Sequence, residues 1–171
     1  KHQDTLNRRT MILKEENDRM YESYLVCQKH LQRMEFAYSK ISNLFPLNLV
    51  QYESISQEEL SYFDQFIFRF TKLQDCMGNK LFKYILESLA ENTRELSLID
   101  MVAKAEQLNI IESAETWFTL RLIRNKLAHE YPFNTEEILA GLNELHFNFQ
   151  ILLKTWKHTE TFMKKKFGYL M

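Results

Sequence analysis

The chain has 171 residues, 45% of them hydrophobic and 26% charged, which is one ordinary domain's worth of chain with enough apolar side chains for a core. Three Gly and two Pro make about 3% of the chain, where roughly 12% is average, and so few turn formers argue against a β-sandwich, a barrel or a many-looped α/β fold and for long helices. The net charge of −1 excludes a strongly basic nucleic-acid coat and an acidic tail protein, though not a small local basic site. Cys27 and Cys76 have no CxxC or metal-ligand spacing, as in a reduced, cytoplasmic protein. No apolar run approaches the ~18 residues of a membrane span, so no membrane partner is expected. The sequence begins at Lys1 rather than Met, so a preceding segment is expected.

The first helix is expected over about 6–45. Met20, Tyr24, Cys27, Leu31, Met34, Tyr38, Ile41 and Phe45 step by 4 and 3, a heptad seam on one face. Leu13 and Leu6 extend it backward past Asn17 and Thr10, so the start is expected to fray or bend. Phe45-Pro46 ends this helix, because the residue before Pro avoids the α region. A linker over about 47–55 follows. Ser56 and Glu59 form a capping box for a helix carrying Leu60, Phe63, Ile67, Phe70, Leu73 and Met77 inward, with Gly78 as its left-handed stop. A short helix follows over about 79–91, and Ser97 with Asp100 opens another to about Gln107. Ser113 caps a helix over 114–130 that Pro132 closes. Asn134 and Glu137 start the last helix, about 135–166, with a seam of Ile138, Leu142, Leu145, Phe149, Leu152, Trp156 and Met163 broken by Thr159.

Two long helices with 3.5-residue seams pack at about 20° in a left-handed bundle. The expected fold is all-α: an up-and-down four-helix bundle with additional short helices, in a single domain over 1–171. Lys164-Lys165-Lys166 is the only charge run and reads as a solvated helix end.

Catalytic signatures for P-loop, dinucleotide, zincin and hydrolase chemistry are absent. None of the five histidines follows a Glu by three positions, so the bundle offers no di-metal pattern, and neither metal nor cofactor is expected. One segment stands apart: Arg121-Leu-Ile-Arg124-Asn125-Lys-Leu-Ala-His129-Glu-Tyr131. At 100° per residue Asn125 and His129 share a face, as do Arg124 and Tyr131, while Arg121 adds a second cation and Phe118, Leu122 and Ile123 cover the core side. A fixed cation beside an imidazole suits metal-independent RNA cleavage. The 2′-hydroxyl must lose a proton, the 5′-oxygen must gain one, and the phosphorane between them carries added negative charge. His titrates near neutrality and serves either proton role, while Arg grips phosphate oxygens as a fork. One His cannot readily act as acid and base together, so two copies facing each other across a dimer axis are required. The plain alternative is a helix-end His stabilised by the macrodipole beside a surface Arg. His30 and His146 flank their seams and read as packing or surface residues.

Arg124-Asn-Lys-Leu-Ala-His129-Glu-Tyr131 resembles the R-x4-H-x-Y motif of HEPN-domain proteins, in particular the HepT-like toxins of HEPN/MNT toxin–antitoxin pairs. Asp64-Gln-Phe-Ile-Phe-Arg69-Phe70 is similar to the D-x4-R-F stretch of nucleotidyltransferase-associated HEPN proteins. The resemblance implies a homodimeric ribonuclease toxin with Arg124 on the phosphate and His129 in proton transfer. Asn125 would then orient His129 or the substrate, with Arg121 beside it. It further implies RNA as substrate, tRNA being one candidate, and a cognate MNT-type nucleotidyltransferase antitoxin that adds AMP to Tyr131 in some pairs. The alternative within the same resemblance is a non-catalytic helical module that binds substrate for, or regulates, a nucleotidyltransferase. A purely structural bundle partner is the third reading. The first helix is longer than the minimal family pattern needs.

Overall fold

The computed structural model describes the backbone of residues 2–129 and 135–168, and the side chains of residues 4–126 and 135–168. Helix α1, His2–Ile41, contains neither Gly nor Pro, so nothing in its sequence interrupts the backbone ladder. Its seam behaves as the spacing requires from Met20 onward: Met20, Tyr24, Cys27, Met34 and Ile41 are buried. The backward extension does not join the core. Leu6 and Leu13 are exposed, as are Met11 and Ile12 around them, yet the helix continues through this stretch without a break. The α-helix also stops earlier than expected: Ser42–Leu44 tightens into a 3-10 turn before the cis Phe45–Pro46 peptide.

The expected linker holds a short helix, α2, Leu49–Glu53. Asn48 Oδ1 accepts from the Gln51 N–H and Gln51 Oε1 accepts from the Asn48 N–H, so five residues suffice for a capped helix. Asn143 then pins the linker to the last helix through both backbone groups of Leu47, at 2.7 and 2.9 Å. The Ser56/Glu59 box opens α3, Gln57–Cys76, and the Ser97/Asp100 box opens α5, Leu98–Gln107, as their sequences predict.

Gly78 is not a helix stop. The chain passes from α3 through one π-helical stretch, Met77–Leu81, directly into α4, Phe82–Ser88, and no glycine among the described residues has positive φ. Gly78 serves packing instead: a Cβ there would lie 3.1 Å from Cζ2 of buried Trp117. The true stops use non-glycine residues in the left-handed region. Ala90 (φ 62°) ends α4 and Asn109 (φ 61°) ends α5, each with the paired 6→1 and 5→2 bonds of a Schellman turn.

Helix α6, Ala114–His129, and helix α7, Thr135–Phe167, complete the fold. Tyr38 meets Phe66 of α3 at 5.3 Å while Cys76 meets the Ser23 carbonyl, so α1 and α3 run antiparallel. Trp117 meets Phe82 at 4.9 Å while Arg124 reaches Asp75, so α6 runs against α3–α4. Helix α7 returns against α6, Thr159 bonding to the Ile110 carbonyl before α6 begins, and closes on α1 through Tyr24–Trp156 and Tyr38–Phe149. The result is an all-α helical bundle in which α1, α3–α4, α6 and α7 alternate in direction around one core. Among the described residues no helix is long and apolar enough to cross a membrane.

Candidate functional site

The polar segment is positioned by how α6 starts. Ser113 Oγ accepts from the Thr116 N–H, and Glu106 of α5 accepts from the Ala114 N–H at 2.6 Å, fixing the first turn against α5. From there Trp117, Leu120 and Ile123 go into the core. Of the residues expected to cover the core side, Ile123 is buried and Phe118 packs partly buried against the core, whereas Leu122 is 64% exposed.

Arg124 is seven residues after Trp117 and so falls on the same stripe. It is therefore not the exposed helix-end cation that the sequence suggests. Its side chain is only 16% exposed and crosses to α3, where Nη2 donates to Asp75 Oδ1 at 2.7 Å. Arg124 Nε is buried with no hydrogen-bond partner. Among the described residues the guanidinium is thus held at one corner, with no other hydrogen-bond partner. Asn125 and Arg121 are half-buried on α6, and neither has an ion pair or side-chain hydrogen bond among the described residues. Lys126 turns the other way, toward Glu144 of α7. His129 is the last residue of α6; its side chain, and Tyr131 entirely, lie outside the described residues.

Asp75 carries the site to a second surface. It lines a cleft of about 390 Å³ with His30, Lys72, Asn79 and Lys80. In that cleft His30 Nδ1 accepts from Arg69 Nη1 at 3.0 Å, which requires the neutral imidazole. Burial, followed by the Arg69, Lys72 and Arg33 charges, holds the His30 pKa below its ordinary value. Asp75 is the only carboxylate among the described lining residues, and it also engages Arg124, which does not line the cleft.

The Asp64–Arg69–Phe70 stretch is split by its helix. Asp64 is exposed, Phe70 is buried, and Arg69 lies against His30 with its guanidinium 5.1 Å from the Phe68 ring. His146 packs as expected, its ring 4.4 Å from Phe45 and its Nδ1 hydrogen-bonded to the Tyr38 hydroxyl at 3.0 Å. The C-terminal lysines are exposed, and Lys165 and Lys166 border a shallow cleft of about 560 Å³ with Lys154, Lys157 and His158. Among the described residues no three His, Cys, Asp or Glu side chains gather as a metal site.

Asp75 is the residue that sequence reading misses. It has no local pattern, and its partner lies on another helix. The only available signal is that an Arg on an apolar stripe needs a carboxylate facing it. No family model, curated protein or solved structure matches the chain.

Proposed function

We propose that the chain is a metal-independent ribonuclease of the HEPN type, acting as a cytoplasmic toxin through Arg124 and His129 at the interface of two copies. The observation that supports this reading is the Arg124–Asp75 pair at 2.7 Å, two turns or less from the α6 terminus that carries His129. A guanidinium fixed at one N–H is a pre-oriented group: its conformational cost is met in the fold, and its outer N–H groups, though not the buried Nε, would meet a phosphate. Arg124 then stabilises charge on the phosphorane, while His129 of one copy takes the 2′-hydroxyl proton and His129 of the second protonates the leaving 5′-oxygen. Asn125, one turn before His129, orients the imidazole, and Arg121 extends the cationic edge toward the RNA backbone.

The partner in this reading is an MNT-type nucleotidyltransferase that adds AMP to Tyr131. Tyr131 is two residues from His129, so an added phosphate would attract Arg124 and displace the RNA phosphate. A second reading is favoured by the same ion pair. Asp75 neutralises Arg124, and a mostly buried Arg is also what a non-catalytic nucleotidyltransferase subunit needs as a strut.

Growth on expression separates the two. The toxin reading expects arrest by the wild-type chain, relief by His129→Ala, a nucleotidyltransferase encoded beside it, and relief on co-expression with that enzyme. Intact mass should then show one AMP on the wild type and none on Tyr131→Phe. Growth unaffected by the wild-type chain at high expression would support the regulatory subunit instead.

A further inference from the structure

The chain has two cysteines, and the fold brings them together in the α1–α3 interface. Cys76 Sγ lies 3.6 Å from the carbonyl oxygen of Ser23. In an α-helix that carbonyl receives the N–H of Cys27, so the Cys76 sulfur rests on the turn of α1 that bears Cys27. The two differ in access. Cys27 is fully buried, whereas Cys76 is 7% exposed and borders two clefts, of about 390 and 170 Å³. Val26 and Lys80 border both clefts as well, so a solute entering from either side meets Cys76 beside an ammonium group.

Their chemistry diverges in the same sense. The neighbouring Cys27 thiol, then the Lys80 charge, hold the Cys76 pKa below the ordinary thiol value, while burial and Asp75 oppose this. Burial pushes Cys27 up, so it stays a thiol. A cysteine that borders two clefts, its thiol held only by a long bond to a carbonyl, next to one with no exposure is the arrangement of an attacking and a resolving cysteine. The backbone supplies slack where it is needed. Cys76 is the last residue of α3, immediately before the π-helical stretch Met77–Leu81. Such stretches relax the regular ladder, so this turn can shift toward α1.

We propose that Cys76 is an oxidation site for small peroxides, resolved by Cys27 to an intramolecular disulfide that ties α1 to α3. The Cys76 thiolate attacks one peroxide oxygen, forming an S–O bond as the O–O bond breaks and releasing hydroxide, or alkoxide from an alkyl peroxide. The Cys27 sulfur then attacks the Cys76 sulfenic sulfur. The S–S bond forms, the S–O bond breaks, and the departing hydroxide takes the Cys27 proton as water. With hydrogen peroxide, two thiols are oxidised by two electrons and the peroxide is reduced to two waters.

The test is peroxide treatment of the reduced, full chain, quenched with N-ethylmaleimide in denaturant and read by intact mass and tryptic mapping. Expected is loss of two hydrogens, joint loss of both alkylation sites, and one linked peptide pair, all reversed by dithiothreitol. In Cys27→Ala the reaction should stop at one added oxygen on Cys76 that dimedone captures. In Cys76→Ala, Cys27 should react at least about tenfold more slowly than Cys76 does in the wild type. If either variant fails to fold by circular dichroism, the wild-type peptide map decides alone. Two thiols still alkylated after peroxide, a disulfide only between chains, or Cys27 reacting as fast without Cys76 would overturn the proposal.

Discussion

Arg124 and Asp75 face each other across α6 and α3, and each depends on the other for its state in the fold. Removing the carboxylate leaves a guanidinium that is 16% exposed with both Nη2 and Nε lacking a protein acceptor. Asp75→Ala is therefore expected to destabilise the fold by about 1–2 kcal/mol, the lower part of the range for an orphaned charged donor because Asp75 itself is one-third exposed. Urea unfolding of Asp75→Ala, Arg124→Gln and the double variant checks this, since the double should cost less than the sum of the singles. The histidines add a pH dependence. His30 accepts from Arg69 and His146 shares a hydrogen bond with Tyr38, and burial is the first cause holding each below the ordinary value, with neighbouring cations adding at His30. A lowered folded-state pKa means that the unfolded chain binds the proton more readily. Their contribution is complete above about pH 6.5 and is lost as pH falls through the folded values. The melting temperature should fall as pH drops below about 6.5, and replacing both with Gln should flatten that drop. Arg124 was legible in the sequence as a chemical group, because its helix and its spacing to His129 are local. Its burial and its partner were not, because they depend on which residues of α3 face α6.

At the level of elements, the parts set by local chemistry were legible and the parts set by contact were not. The Ser56/Glu59 and Ser97/Asp100 boxes satisfy backbone groups within four residues, so their sequences are sufficient to place α3 and α5. The seams of α1 and α7 follow from spacing alone, from Met20 and Ile138 onward. Gly78 shows the opposite case. Read along the chain it is a helix stop; in space it admits Trp117, which is also packed edge-on against Phe82 at 4.9 Å. Gly78→Ala should therefore destabilise. Overpacking against an aromatic ring that cannot retreat costs about 1–3 kcal/mol, against a gain of about 1 kcal/mol from replacing Gly within a helix. Calorimetry should show a lower melting temperature for Gly78→Ala; a higher one would mean that Trp117 yields freely. The stop at Ala90 was hidden, since Ala does not announce a left-handed turn; Asn109 carried a weaker form of the signal, Asn being the next choice after Gly there.

At the scale of the molecule, the bundle provides a rigid support for α6, whose core face, first turn and Arg124 are each fixed by a different neighbour: the aromatic core, α5 and α3. Sequence composition carried the architecture, because a chain with three Gly, two Pro and two heptad seams has few ways to fold other than as long packed helices. The chemistry attributed to α6 is a claim about His129 acting with Arg124, without a metal, on RNA. Purified protein incubated with total tRNA in excess EDTA tests that claim most directly, with products resolved by gel and their 3′ ends identified by mass spectrometry. Wild-type protein should yield fragments ending in 2′,3′-cyclic phosphate, as attack by the 2′-hydroxyl demands, and His129→Ala should lower the cleavage rate by roughly 10²-fold or more. Intact RNA with the wild type, or equal cleavage by His129→Ala, would contradict it.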